Sequence, residues 1–186
     1  MKTIILFAED LGWAIRCKYN LWLHGPYGLA KVVEKIPFRF LVKYLRRYGA
    51  TIGNNCRFER GINLHRPFGR LPFENLHIGN NVYLGHNTLI DLTCKVTIGD
   101  DVIIASGCQI WTHSSDYTGE GTERKYVERS GEISVGIAAI IYSGVIISSG
   151  VKIGANARIG AHSLVNKDIP ESVFAGGVPV AEIKKL

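Results

Sequence analysis

An aliphatic residue returns at every sixth position toward the C-terminal end of this chain: Val135, Ile141, Ile147, Ile153, Ile159 and Val165. At the frequency with which Ile, Leu and Val occur here, six such hits in one fixed register arise by chance roughly four times in ten thousand. Four residues after each aliphatic comes Ala139, Val145, Val151, Ala157, Ser163 or Ile169, mostly small. Residues two apart in a strand share a face, so each aliphatic points inward together with the small residue two before it. Gly136, Gly154 and Gly160 directly follow the aliphatic position, where the spacing predicts that the chain turns a corner.

The pattern repeats earlier. Ile78, Leu84 and Ile90, then Ile98, Ile104 and Ile110, hold the same frame with a two-residue slip at Val96–Thr97, and Ile52 with Gly53 and Cys56 starts the array. The inward small residues are Val82, Thr88, Cys94, Val102 and Cys108, which makes three cysteines small buried hydrophobes. None of the four Cys forms a CxxC pair, which fits a reducing compartment and no zinc site. A period of six with one turn per repeat implies short flat strands wound into a prism. Residues 66–75 and 113–131 interrupt the array and read as loops, the second polar and long; loops leaving a rigid scaffold often carry function.

Residues 3–48 read as helical. Val32, Val33, Ile36, Phe40, Leu41, Tyr44, Leu45 and Tyr48 fall at helical spacings around Pro37, and Gly49 ends the run, so this part is expected to cap the first coil. Much of the formal charge of +6 lies between Lys31 and Arg47. Such a cluster allows weak contact with an anionic membrane surface, against the plainer reading of a solvated helix face; no nucleic-acid partner is expected. The apolar start is cut short by Glu9 and Asp10, too early for a signal peptide, and no long apolar run follows, so a cytoplasmic protein is expected.

Two stretches carry a resemblance. TIGDDVIIASGCQIWTHSSD (97–116) resembles the approach to the active-site loop of the maltose, galactoside and colanic-acid O-acetyltransferases. IGANARIGAHSLVNKDIPESVFAGGVPVAEIKKL resembles their last coils and closing segment, in the same order. The resemblance to hexapeptide-repeat acyltransferases covers roughly residues 50–180. It implies a left-handed parallel β-helix (an all-β triangular prism) over 50–180 with an extended loop 113–132, an N-terminal helical cap over 1–49, and a short C-terminal helix over 181–186. It also implies acetyl-CoA as co-substrate, no metal, direct transfer to a sugar or polysaccharide-precursor hydroxyl, and active sites between the subunits of a homotrimer. Outward apolar residues, namely Leu89, Ile103, Ile140, Ile146 and Leu164, agree with a covered face.

Acyl transfer to a hydroxyl needs a base to take its proton, work suited to His. The resemblance assigns that role to His113 at the root of the long loop, although relatives place a His where this chain has Ser115, directly before Asp116. It makes Asn87 an acceptor-binding residue, with Asp116 beside the base as orienter or loop cap. Ser143 aligns with a backbone donor to the thioester oxyanion, and Ala161, Asn166 and Lys167 align with contacts to CoA. Ile140 and Tyr142 depart from the family's Trp and Gly at the edge of the CoA channel. Three other readings share the fold: a γ-class carbonic anhydrase, disfavoured because His113 has no close His partner in sequence; an N-acyltransferase on a nucleotide-linked amino sugar; and an inactive structural prism.

Overall fold

The computed structural model describes residues 2–67, 69–119, 121–123 and 125–186, with side chains except those of 2–4, 117 and 121. Strands of two or three residues recur along it, and each pairs in parallel with the strand one coil later. Three sheets result. The first face holds Thr51–Ile52, Leu76–Ile78, Val96–Ile98, Ile133–Val135 and Lys152–Ile153. The second holds Arg57–Phe58, Tyr83–Leu84, Ile103–Ile104, Ile140–Ile141, Arg158–Ile159 and Val173–Gly176. The third holds Asn63–His65, Leu89–Asp91, Gln109–Ile110, Ile146–Ile147 and Leu164–Val165. The chain visits the three faces in turn, so its coils are triangular.

The hexad sets the register. Val135 pairs with Ile98 and Ile153, Ile141 with Ile104 and Ile159, and Ile147 with Ile110 and Val165, which makes three buried columns. Each such side chain contributes about 1.5–3 kcal/mol by leaving water. Ala139, Val145, Val151, Ala157, Ser163 and Ile169 are buried beside them. Of the three cysteines expected inside the prism, Cys108 is buried but Cys56 and Cys94 are only half-buried.

The corners do not lie at the glycines after the aliphatics. Backbone φ is positive three residues after five of the six aliphatics instead, at Ala138, Gly144, Gly150, Asn156 and His162, with values of 57°, 71°, 82°, 57° and 56°. Gly136 and Gly154 serve another purpose. A Cβ on Gly136 would stand 2.5 Å from the Ala155 backbone nitrogen, and one on Gly154 would stand 2.3 Å from that of Glu171. The backbones of successive coils pass too closely there for any side chain.

Two helices close the first coil: α1 (Lys2–Val33), kinked at Gly25, and α2 (Phe38–Arg47). Leu41, Tyr44 and Leu45 bury one side of α2, and the Tyr44 hydroxyl donates to the Asp10 carbonyl at 2.7 Å. The Arg46 guanidinium donates to the carbonyls of Ile52 (2.7 and 2.9 Å) and Gly53 (2.6 Å), satisfying acceptors on an edge strand that has no coil before it.

The other end closes differently from the expected short helix. Residues Ala181–Lys185 form a strand antiparallel to Val173–Gly176. Six residues are too few to repay helix nucleation, whereas the last coil offers a row of unpaired backbone groups to a returning strand.

Between the third and fourth coils the chain leaves the prism as an antiparallel hairpin, His113–Thr118 against Lys125–Ser130. It returns almost where it left, since the Gly131 N–H donates to the Thr112 carbonyl at 2.8 Å. Ile133 then pairs with Val96 as though nothing had intervened.

Candidate active site

On the third face, His65 pairs in register with Asp91, and the pairing of Ile90 with Ile110 puts Trp111 at the equivalent place one coil on. Each of these residues follows an inward aliphatic, so each points outward at the edge where the third face turns into the first. Trp111 packs edge-on against both His65 and His113, with ring centroids 5.4 and 6.2 Å away. Its indole N–H donates to Gln109 Oε1 at 2.9 Å. The two imidazoles lie nearly parallel, 5.7 Å apart.

Asp91 is fully buried beneath these rings. Its Oδ2 lies 2.7 Å from His113 Nδ1 and accepts from the Thr112 N–H at 3.1 Å and from the Thr112 hydroxyl. Its Oδ1 accepts from the Thr93 hydroxyl at 3.0 Å and lies 3.3 Å from His65 Nδ1. Burial by itself pushes the Asp91 carboxyl up. The hydrogen bonds from His113, Thr112 and His65 together outweigh burial and hold it below its ordinary value of 3.8. Asp91 is therefore an anion at neutral pH. An anionic acceptor facing His113 Nδ1 assigns the ring proton to that nitrogen and leaves the lone pair on Nε2. The His113 side chain is 12% exposed, so its ring is mostly enclosed by its neighbours and part of it meets solvent.

His65, Asp91 and His113 each present one ligand atom, all within 4.8 Å of one another. That set could hold a divalent cation on distance alone. However, the carboxylate has about four lone-pair directions. The hydroxyls of Thr93 and Thr112, one backbone N–H and two imidazoles already point at them. A cation would have to displace protons from a filled acceptor, so the cluster reads as a hydrogen-bonded acid–base unit.

The hairpin is tied to the same edge. Ser115, where relatives carry a His, bonds the Tyr126 hydroxyl at 2.8 Å across the hairpin. Tyr126 donates to Glu128 at 3.1 Å, and Arg66, next to His65, reaches Glu128 at 3.3 Å. Arg66 and then Tyr126 hold the Glu128 carboxyl below its ordinary range. Asp116 lies exposed on the first hairpin strand. The carboxylate on Nδ1 of His113 is that of Asp91, while Asp116 stands three residues further along the hairpin strand.

The remaining candidates occupy other places. Asn87, Ser143 and Ala161 lie at the corner between second and third faces, in a column joined by backbone bonds. Asn87 N–H donates to the Arg60 carbonyl at 3.0 Å, and His162 N–H to the Ser143 carbonyl at 2.9 Å. Asn166 and Lys167 lie exposed beyond Leu164–Val165, on the same edge as His113 but two coils away. Asn87 lies in the turn that precedes the strand Leu89–Asp91 and Asp91 ends that strand, at most about 13 Å away at 3.3 Å per residue. The base and the column with Asn87 and Ser143 thus face away from each other on a single chain.

Comparison with known proteins agrees with this architecture. No protein-family model matches the sequence. The chain is 37% identical over 142 residues to galactoside O-acetyltransferase of Escherichia coli, across 74% of this chain and 64% of that protein. It therefore spans less than two thirds of that relative's length. Among solved structures it resembles a maltose O-acetyltransferase from Clostridium difficile, with TM-score 0.73, 27% identity, and 94% and 88% of the two chains covered. It also resembles a galactoside acetyltransferase in complex with coenzyme A, with TM-score 0.64, 26% identity, and 95% and 82% covered.

Proposed function

We propose that this chain is a hexapeptide-repeat acyltransferase of the left-handed parallel β-helix type, and that it moves an acetyl group from acetyl-CoA to a hydroxyl of a sugar or polysaccharide precursor. The observation that carries the proposal is the Asp91–His113 pair, which leaves Nε2 basic at the root of the hairpin. The acceptor oxygen attacks the thioester carbonyl while its proton passes to Nε2. The imidazolium so formed is stabilised by Asp91 through Nδ1–H. Collapse of the tetrahedral intermediate breaks the C–S bond, and the proton returns from Nε2 to the departing sulfur, giving the acetyl ester and free CoA. No acyl-enzyme forms. His65 and the Thr hydroxyls act through Asp91 by keeping it ionised and fixed.

The same reading makes the enzyme a homotrimer. Ile103 and Ile146 are exposed and Leu89, Ile140 and Leu164 half-buried, and together they flank the corner that carries Asn87, Ser143 and Ala161. An apolar-shouldered edge calls for a covering surface. Placing a second chain's His113 edge against it brings base, acceptor-binding Asn87 and the Ser143 N–H oxyanion donor into one cleft, with Ala161, Asn166 and Lys167 along the CoA arm. The deciding experiment incubates acetyl-CoA with a panel of sugar hydroxyl acceptors and follows thiol release together with acetyl-ester formation by mass spectrometry. Ester formation that His113→Ala abolishes supports the reading. Acetylation of an amino sugar alone, or no turnover with any acceptor, overturns it.

A further inference from the structure

We propose that the outer face of α1 docks this protein onto an anionic phospholipid surface, with the helix lying flat on the membrane rather than crossing it. The inner face of α1 packs Cys17, Leu29, Ala30 and Val33 into the core. The opposite face is largely apolar as well, and among the described residues nothing packs on it. Phe7, Leu11, Ile15, Tyr19 and Trp22 follow one another at steps of four, four, four and three, which keeps them on one stripe, and they are 51–80% exposed, with Trp22 at 80%. The stripe runs about 23 Å at 1.5 Å per residue. A contiguous apolar surface of this length on a water-facing helix marks a contact surface.

Charge decides what it contacts. The acids of α1 are Glu9 and Asp10, and both turn toward α2, where they pair with Arg39 and Lys43. Of the exposed cations, Lys18 lies on the stripe itself, four residues before Trp22, and Arg16 lies beside it. The outer surface is thus an apolar strip that carries one cation within it and another at its side. A second copy of the chain would bring the same cations against these, whereas anionic headgroups complement them. Aromatic and aliphatic side chains beside Lys and Arg are the composition of helices that lie in the interfacial plane. Among the described residues no helix is long and apolar enough to span.

The basic stretch from Lys31 to Arg47, the sequence's more obvious membrane contact, contributes less. Lys31 pairs with Glu34, Arg39 and Lys43 pair with the acids of α1, and Arg46 is bonded to the carbonyls of Ile52 and Gly53.

The test is co-sedimentation of the full chain with extruded vesicles of phosphatidylcholine, with and without half phosphatidylglycerol. The expected result is binding to the anionic vesicles at least tenfold tighter than to neutral ones, weakened by 0.5 M salt. Phe7→Glu/Ile15→Glu/Trp22→Glu should lower anionic-vesicle binding at least tenfold with the circular dichroism spectrum unchanged. Should that triple variant misfold, Arg16→Glu/Lys18→Glu leaves the apolar stripe intact and should still lose the preference for anionic vesicles. Absence of vesicle binding by the natural chain overturns the proposal, as does binding indifferent to both sets of changes. So does a stripe-dependent rise in oligomer mass without vesicle binding, which would assign the face to a second copy.

Discussion

The Oδ2 of Asp91 lies 2.7 Å from the Nδ1 of His113, although the two residues belong to successive coils of the prism. The pair exists because the third strand of one coil ends in a carboxylate under the point where the next coil leaves for the hairpin. Its buried anion fixes which nitrogen of His113 is basic.

His113→Ala should lower kcat at least a hundredfold while leaving acetyl-CoA affinity nearly unchanged, since general-base removal typically costs about 10²- to 10⁴-fold. Asp91→Asn should lose a comparable factor, because an amide can donate to Nδ1 and stabilise the wrong tautomer. His86→Ala and His162→Ala should stay within a few-fold of the parent. Steady-state kinetics with saturating acceptor, paired with calorimetry of CoA binding, checks all four.

Stability should depend on Asp91 at the acid end. A carboxyl whose folded value lies below its ordinary 3.8 contributes stability that is fully present above that value and is lost as pH falls through the lower folded value. Denaturation midpoints measured from pH 7 to pH 2.5 should therefore fall more steeply for the parent than for Asp91→Asn. Equal slopes would mean that Asp91 has no such shift.

Light scattering at micromolar concentration should give the mass of three 20.5 kDa chains. Mixing inactive His113→Ala with inactive Asn87→Ala chains, after dissociation and reassembly, should restore about a quarter of parental activity. A base from one chain and an acceptor contact from another meet intact with that frequency if exchange is random. A monomeric mass, or no recovery on mixing, contradicts a shared site.

Exhaustive treatment with a chelator should leave the rate unchanged, because the acceptor directions of Asp91 are occupied by protons. Loss of activity restored by a stoichiometric metal would instead make His65, Asp91 and His113 ligands.

The prism was legible in the sequence because burial acts with the same period on every coil: Ile141 and Ile159 needed no partner other than the residue one coil away. What burial does not control was harder to read. The glycines after the aliphatics looked like corners, yet Gly136 answers to the neighbouring coil's backbone, a contact between residues far apart in sequence. The tail 181–186 offered six residues with no strong local preference, and the unpaired strand beside it decided the outcome. Of the His65–Asp91–His113 cluster, the sequence singled out His113 alone, by its place at the loop root. The signal for the other two was present: Leu64, Ile90 and Ile110 share one column, and the residues after them are His65, Asp91 and Trp111. Only stacking the coils in register makes those three neighbours.

The hairpin leaves and rejoins the prism at Thr112 and Gly131, which are bonded to each other, and the coils on either side pair as if it were absent. The scaffold is therefore mechanically blind to what stands between those two residues. Lengthening, shortening or replacing the segment beyond His113 changes the wall of the cleft while leaving the Asp91–His113 pair and the columns beneath it in place. Selection can then act on substrate choice and on foldability as nearly separate traits, and an engineer grafting a foreign hairpin between His113 and Gly131 works on the same joint.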